Sequence, residues 1–212
     1  MKTSPKQKSK NNTEGFTLLE SLIVLGMIFM ISGVIYFMFR NLFATNTFLG
    51  ESLSNERDIQ ITVQTMTGEL RGATQSSLGS YPLEIAASTS LAFYNNIDSN
   101  ALVERVQYFL EGTTLKKSVV RPVGNPLSYA TTTGAQESLT TILKGIAATT
   151  TPLFSYYDKF FSGTTTPLVQ PLTIGDVRHI RLTITIDKSA TDLIPPITGV
   201  GESTIRNLKD NY

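Results

Sequence analysis

The 212-residue chain contains no cysteine, one histidine, and no proline between Pro5 and Pro82. Without Cys there is no disulfide framework, no thiolate metal site and no Cys nucleophile. With His179 alone, a His-rich metal site or a His-paired catalytic dyad has almost nothing to be built from. Charged residues are scarce too, 17% against about 25% in average soluble proteins, so part of the chain avoids water. A formal net charge of +1 argues against a strongly basic nucleic-acid binder. The length suffices for one domain of ordinary size plus an appendage.

The few charges are unevenly placed. Residues 1–15 carry Lys2, Lys6, Lys8 and Lys10 against Glu14, a net of +3, which leaves −2 on the remainder. Residues 16–39 follow with Glu20 as their only charge. At about 1.5 Å per residue such a helix spans roughly 36 Å, enough for a hydrocarbon core of about 30 Å. Fourteen of its residues are Leu, Ile, Val or Phe. Together these favour insertion by roughly 7 kcal/mol, against about 3 kcal/mol at most for one acidic side chain. The lysines ahead of the span predict an N-terminus in the cytoplasm and everything after Arg40 outside the cytoplasmic membrane. A secretory signal peptide fits poorly. The apolar run is too long, no A-x-A-like site follows, and helical patterning continues beyond it. A plain signal anchor leaves Glu20 unexplained, since an intramembrane carboxylate is costly and by default functional.

Nothing forces a break before about residue 75. Ile59, Val63, Met66, Leu70 and Ala73 fall on one helical face, although Ile61 breaks the stripe. Gly68 and Gly72 weaken the last turns. The expectation is one helix, membrane-embedded over 16–39 and amphipathic over 40–75, whose apolar stripe needs a partner surface. Residues 76–212 supply it as an antiparallel sheet domain, giving an α+β fold. Strands are predicted at Ser90–Tyr94, at Val103–Glu111 turning through Gly112 into Thr114–Val120, at 153–161, at 177–187 and at 203–208. The strand with Ile180, Leu182, Ile184 and Ile186 on one face has the cleanest alternation. Thr133 and Gln136 read as a capping box before a short helix bearing Leu139, Ile142, Leu143 and Ile146. The Thr-rich tracts at 131–133, 149–151 and 164–166 read as loops.

The junction EGFTLLESLIVLGMIF resembles the N-terminal motif of type IV prepilins and of the pseudopilins of type II secretion and competence systems. The matching features are a short basic leader ending at Gly15, then Phe16, Thr17-Leu18-Leu19 and Glu20, and an apolar helix in the same frame. The later segments Arg71-x-Ala73, Ala92–Tyr94, Val106–Lys117, Ser155–Asp158 and Asp176–Ile186 more loosely resemble J-type minor pseudopilins and related minor pilins. The resemblance implies a type IV pilin-like fold and a prepilin peptidase that cuts Gly15–Phe16 and methylates the new Phe16 amine. It further implies partners in other pilin or pseudopilin subunits, an inner-membrane assembly platform and membrane lipid. Glu20 would pair with the Phe16 amine of a neighbouring subunit and so fix axial register. Major pilins often have a kinking proline where Phe37 stands and a C-terminal disulfide that a Cys-free chain lacks, so a minor subunit is favoured. The presence of Glu20 argues against a K-type tip subunit.

Other chemistry is thin. Asn96-x-Asp98-x-Asn100 imitates the opening of a calcium loop, but Ala101 and Gln107 replace the required Gly and Glu, so it reads as a turn. Arg178, His179 and Arg181 form a small basic cluster that reads as a solvated strand edge rather than a nucleic-acid contact, and His179 as a structural residue. Asp158, Asp176 and Asp187 have no pairing partner in the sequence, and no enzyme, cofactor or metal site is read. Two function classes follow. One is a minor pilin or pseudopilin that assembles into, initiates or caps a type IV pilus, competence or type II secretion-like filament. The other is a stand-alone membrane-anchored exported binding protein or adhesin.

Overall fold

A computed structural model describes residues 17–98, 100–130, 137–147, 150–187 and 196–208. Leu18 to Arg71 form one 54-residue helix, α1. It runs uninterrupted because no proline removes a backbone donor, and it stops at Gly72. The chain divides into two compact units, residues 1–50 and 51–212, and α1 crosses the boundary between them.

In the first unit, Leu18–Arg40 is long and apolar enough to cross a membrane, and none of it is buried. Among the described residues of the second unit eight strands follow the helix: β1 (Leu83–Ala86), β2 (Ser90–Asn95), β3 (Glu104–Glu111), β4 (Thr114–Val120), β5 (Glu137–Lys144), β6 (Phe154–Tyr157), β7 (His179–Ile186) and β8 (Ile197–Thr204). They form two antiparallel sheets, ordered β1-β2-β3-β4-β5 and β6-β7-β8. The segment after β5 stitches the sheets together. Ile146 bridges Ile186, and Ala147 N–H donates to Thr185 O at 2.8 Å. The chain is therefore α+β, with an N-terminal apolar helix and an antiparallel sheet domain.

The stripe on α1 belongs to the core of the second unit. Ile59, Met66, Leu70 and Ala73 are buried with Phe93, Tyr108, Ile180, Leu182 and Ile184, Val63 packs against them, and Ile61 points out. Two glycines of β8 let the helix approach. A Cβ on Gly199 would lie 2.1 Å from Ile59 Cγ2, and one on Gly201 2.3 Å from Val63 Cγ1. Polar side chains from distant elements satisfy carbonyls at the helix end. Ser203 Oγ donates to Thr67 O at 3.1 Å, Asn95 Nδ2 to Glu69 O at 2.9 Å and Asn207 Nδ2 to Ala73 O at 2.8 Å.

The β3–β4 hairpin turns at Gly112, whose φ of 60° suits glycine. Three sequence expectations need correction. Leu139–Lys144 is not a helix but most of strand β5, while the proposed cap at Thr133 and Gln136 lies outside the described residues. The strand expected over 153–161 stops at Tyr157, beyond which the chain turns. The last strand spans Ile197–Thr204, earlier than expected, and Arg206–Leu208 is a short 3-10 turn.

Candidate functional site

The residues to which the sequence assigns function lie around the start of α1. Gly15 and Phe16, like the leader lysines, lie outside the described residues. Thr17 stands just before the helix, and its Oγ1 accepts the Glu20 N–H at 3.3 Å. That is one half of a capping box. The Thr-x-x-Glu spacing brings the third helical residue onto the cap and satisfies one of the helix's orphan donors. Glu20 thus sits in the first turn, where the helix dipole favours a negative charge. Among the described residues no ion pair reaches its carboxylate. Around and beyond it Leu18, Leu22, Leu25, Phe29, Val34 and Phe37 are all exposed. These side chains belong to the segment that is long and apolar enough to cross a membrane.

Three of the polar clusters among the described residues of the second unit bear on the sequence readings. The first ties the amphipathic half of α1 to the sheet. Tyr108 Oη donates to Glu69 Oε2 at 2.7 Å, and Lys117 Nζ donates to Glu69 Oε1 at 2.5 Å while lying 5.4 Å from the centre of the Tyr108 ring. Burial, reinforced by Glu69, pushes the Tyr108 phenol far above its ordinary pKa, so it remains a donor. Partners from α1, β3 and β4 converge here, which makes the cluster a structural clamp.

The second contains the loop that imitates a calcium site. Arg121 Nη2 lies 2.6 Å from Asp98 Oδ2 and Arg121 Nε 3.8 Å from Glu104 Oε1, so a guanidinium occupies the place a cation would take. Burial pushes the Glu104 carboxyl up, against the Ile97 N–H it accepts at 3.1 Å, and neighbouring Asp98 adds to the rise. Among the described residues no group of three or more His, Asp or Glu side chains could hold a metal ion.

The third cluster corrects the reading of Arg178, His179 and Arg181 as a solvated edge, because β7 is the central strand of its sheet. The His179 ring stacks on Phe161, centroids 4.1 Å apart at 19°, and meets Tyr157 edge-on at 6.0 Å. Arg181 lies over both Tyr157 and Phe161, donates from Nε to Glu202 at 2.6 Å and from Nη2 to Gly163 O at 3.2 Å. His179 Nδ1 is 3.1 Å from Thr204 Oγ1, while buried Nε2 makes no hydrogen bond although Glu202 Oε2 is 3.4 Å away. Burial lowers the His179 pKa, outweighing the opposing pull of Glu202, and Arg181 lowers it further. Because the folded-state pKa lies below the ordinary value of about 6.5, the unfolded chain binds the proton first. The imidazole's contribution to stability is therefore complete above that value and lost as pH falls through the folded pKa. His179 is the only histidine, so its NMR titration is unambiguous. We expect a midpoint below the ordinary value, and one at or above it would contradict the assigned environment.

Asp158 accepts the Phe160 N–H at 2.9 Å and closes the turn after β6, a local role. A cleft of about 550 Å³ is lined, among the described residues, by Ser88, Thr89, Leu110, Ile146, Thr183 and Thr185 together with other uncharged side chains. Sequence reasoning passed over the Thr17–Glu20 cap, although its spacing was readable, and Phe161 as the residue that orders His179 and Arg181. Comparison with models of known protein families gives no match, and comparison with curated proteins gives none either.

Proposed function

We propose that the chain is a minor pilin or pseudopilin of type IV pilin-like fold. It is a membrane-anchored subunit that is processed at Gly15–Phe16 and assembled into a type IV pilus or a type II secretion-like filament, or initiates or caps one. The reading rests above all on Glu20, the only acidic residue of the apolar span 16–39, placed in the first turn of α1 shortly after the Gly15–Phe16 junction. A glycine before the cut gives a peptidase access to an unhindered backbone. Once the leader is gone, the Phe16 amine is a cation within one turn of Glu20. In a filament core an amine from the next subunit offsets much of the carboxylate's desolvation. In this reading the helix that anchors the chain continues into a half that is clamped to the sheet, so the sheet domain is the part the anchor carries. Partners are other pilin or pseudopilin subunits, a prepilin peptidase, an inner-membrane assembly platform and membrane lipid, with Phe16 as the methylated amine.

Processing provides the test. The mature chain should begin at Phe16, with a loss of roughly 1.6 kDa for 15 residues at the chain's average residue mass of about 109 Da. Gly15→Leu should leave the full-length chain in the membrane. Mass spectrometry that finds any other N-terminus on the mature chain rejects the reading.

A further inference from the structure

Strand β5 ends the five-stranded sheet, and among the described residues its outer edge receives no backbone hydrogen bond. Such an edge is a template for another strand, and natural proteins usually blunt it. The other outer strands are blunted. β1 has four residues and follows Pro82, β8 carries Gly199, Gly201 and Glu202, and β6 is covered by Phe154 N–H to Ser88 O at 3.0 Å and Leu168 N–H to Tyr156 O at 2.8 Å. β5 has eight residues, no proline, and charges only at its two ends, Glu137 and Lys144. Glu137 to Thr141 are exposed in succession, and Leu139 keeps 56% of its surface in water.

The sequence of this edge is complementary to itself. Opposite β4 the register runs Leu115 to Leu143 and then Lys116 to Thr141, so Ile142 is the extra residue of a bulge. Leu139 and Thr141 therefore share one face, and Ser138, Thr140 and Leu143 the other. In an antiparallel pair centred on Thr140, Leu139 meets Thr141 of the mate. Past the bulge, Ser138 then meets Leu143 and Glu137 meets Lys144. Every pair shares a face, and the two charges at each end are opposite. Such a contact is isologous and closes at two copies.

We propose that β5 is an interaction surface for a second copy of this chain, joined edge to edge as an antiparallel β5–β5 pair that continues the five-stranded sheet. This goes beyond the filament reading and does not rest on it. The absence of cysteine makes a direct test possible, because one introduced Cys reports only on its own contact. The full chain in its membrane is oxidised as the single variants Thr140→Cys and Thr89→Cys. Thr89 is an equally exposed residue between β1 and β2. Directly opposed residues of an antiparallel pair have Cα atoms within disulfide range, about 4.5–5.5 Å. Thr140→Cys should shift to twice the mass of the chain's own band and Thr89→Cys should not. Adding Leu139→Lys, which sets like charges beside the two-fold axis, should cut the Thr140→Cys product several-fold. No dimer at Thr140→Cys, equal cross-linking at both positions, a product of another mass, or a dimer undiminished by Leu139→Lys overturns the proposal. Leader cleavage and filament formation affect none of these readouts.

Discussion

Met66→Asp is expected to unfold the second unit, whereas Ile61→Asp, five residues earlier on the same helix, is expected to leave it intact. Met66 keeps 1% of its surface in water and Ile61 51%. Replacing Met66 forfeits about 1.5–3 kcal/mol of apolar burial. The new carboxylate must also be desolvated or protonated in a seam shared with Tyr108 and the core, which costs several kcal/mol more. The total, about 4–5 kcal/mol or above, belongs to the exceptional class of single substitutions. It consumes much of the 5–15 kcal/mol by which domains are typically stable. At Ile61 the change lies within about 0.5 kcal/mol, as for other surface positions. Near-UV circular dichroism of the tyrosines, followed on heating the full chain in detergent, separates the two. Equal melting of both variants would mean that the Ile59–Leu70 stripe does not carry the packing.

The contrast between these neighbours shows what was legible in the sequence. The helix stripe was readable because a long amphipathic segment repeats its period often enough to fix a face, and Ile61 stood out as its one exception. The alternation in β7 and the Gly112 turn were readable for the same local reason. β5 was not. Leu139, Ile142, Leu143 and Ile146 have helical spacing, and a bulge at Ile142 interrupts the strand's alternation, so no period-two signal competes with it. Pairing with β4, a tertiary event, then overrides the local pattern. β8 was misplaced because its helix-facing positions are glycines, Gly199 and Gly201, which carry no hydrophobic signal and work by leaving room for Ile59 and Val63. The His179 environment was invisible because Phe161 and Glu202 arrive from distant parts of the chain.

The second large effect is expected at Glu20. Glu20→Val removes the only charge of the apolar span, so insertion and cleavage after Gly15 should persist, since an acidic residue there opposes insertion by at most about 3 kcal/mol. Assembly should nevertheless collapse, because a neighbouring Phe16 amine loses its counter-ion in an apolar core. Helix capping offers a rival explanation, since Val cannot supply the side-chain half of a Thr-x-x-Glu capping box, a contribution of about 0.3–1.5 kcal/mol. Glu20→Gln distinguishes the two. Glutamine serves a capping box as well as glutamate does, but it cannot neutralise an amine. If charge pairing sets the register, Glu20→Gln should be processed normally and be as absent from purified filaments as Glu20→Val. If capping is what counts, Glu20→Gln should enter filaments at the parental level. Incorporation of both variants at that level would leave the carboxylate no part in assembly, and Glu20 would then be only the first-turn acid of a membrane anchor.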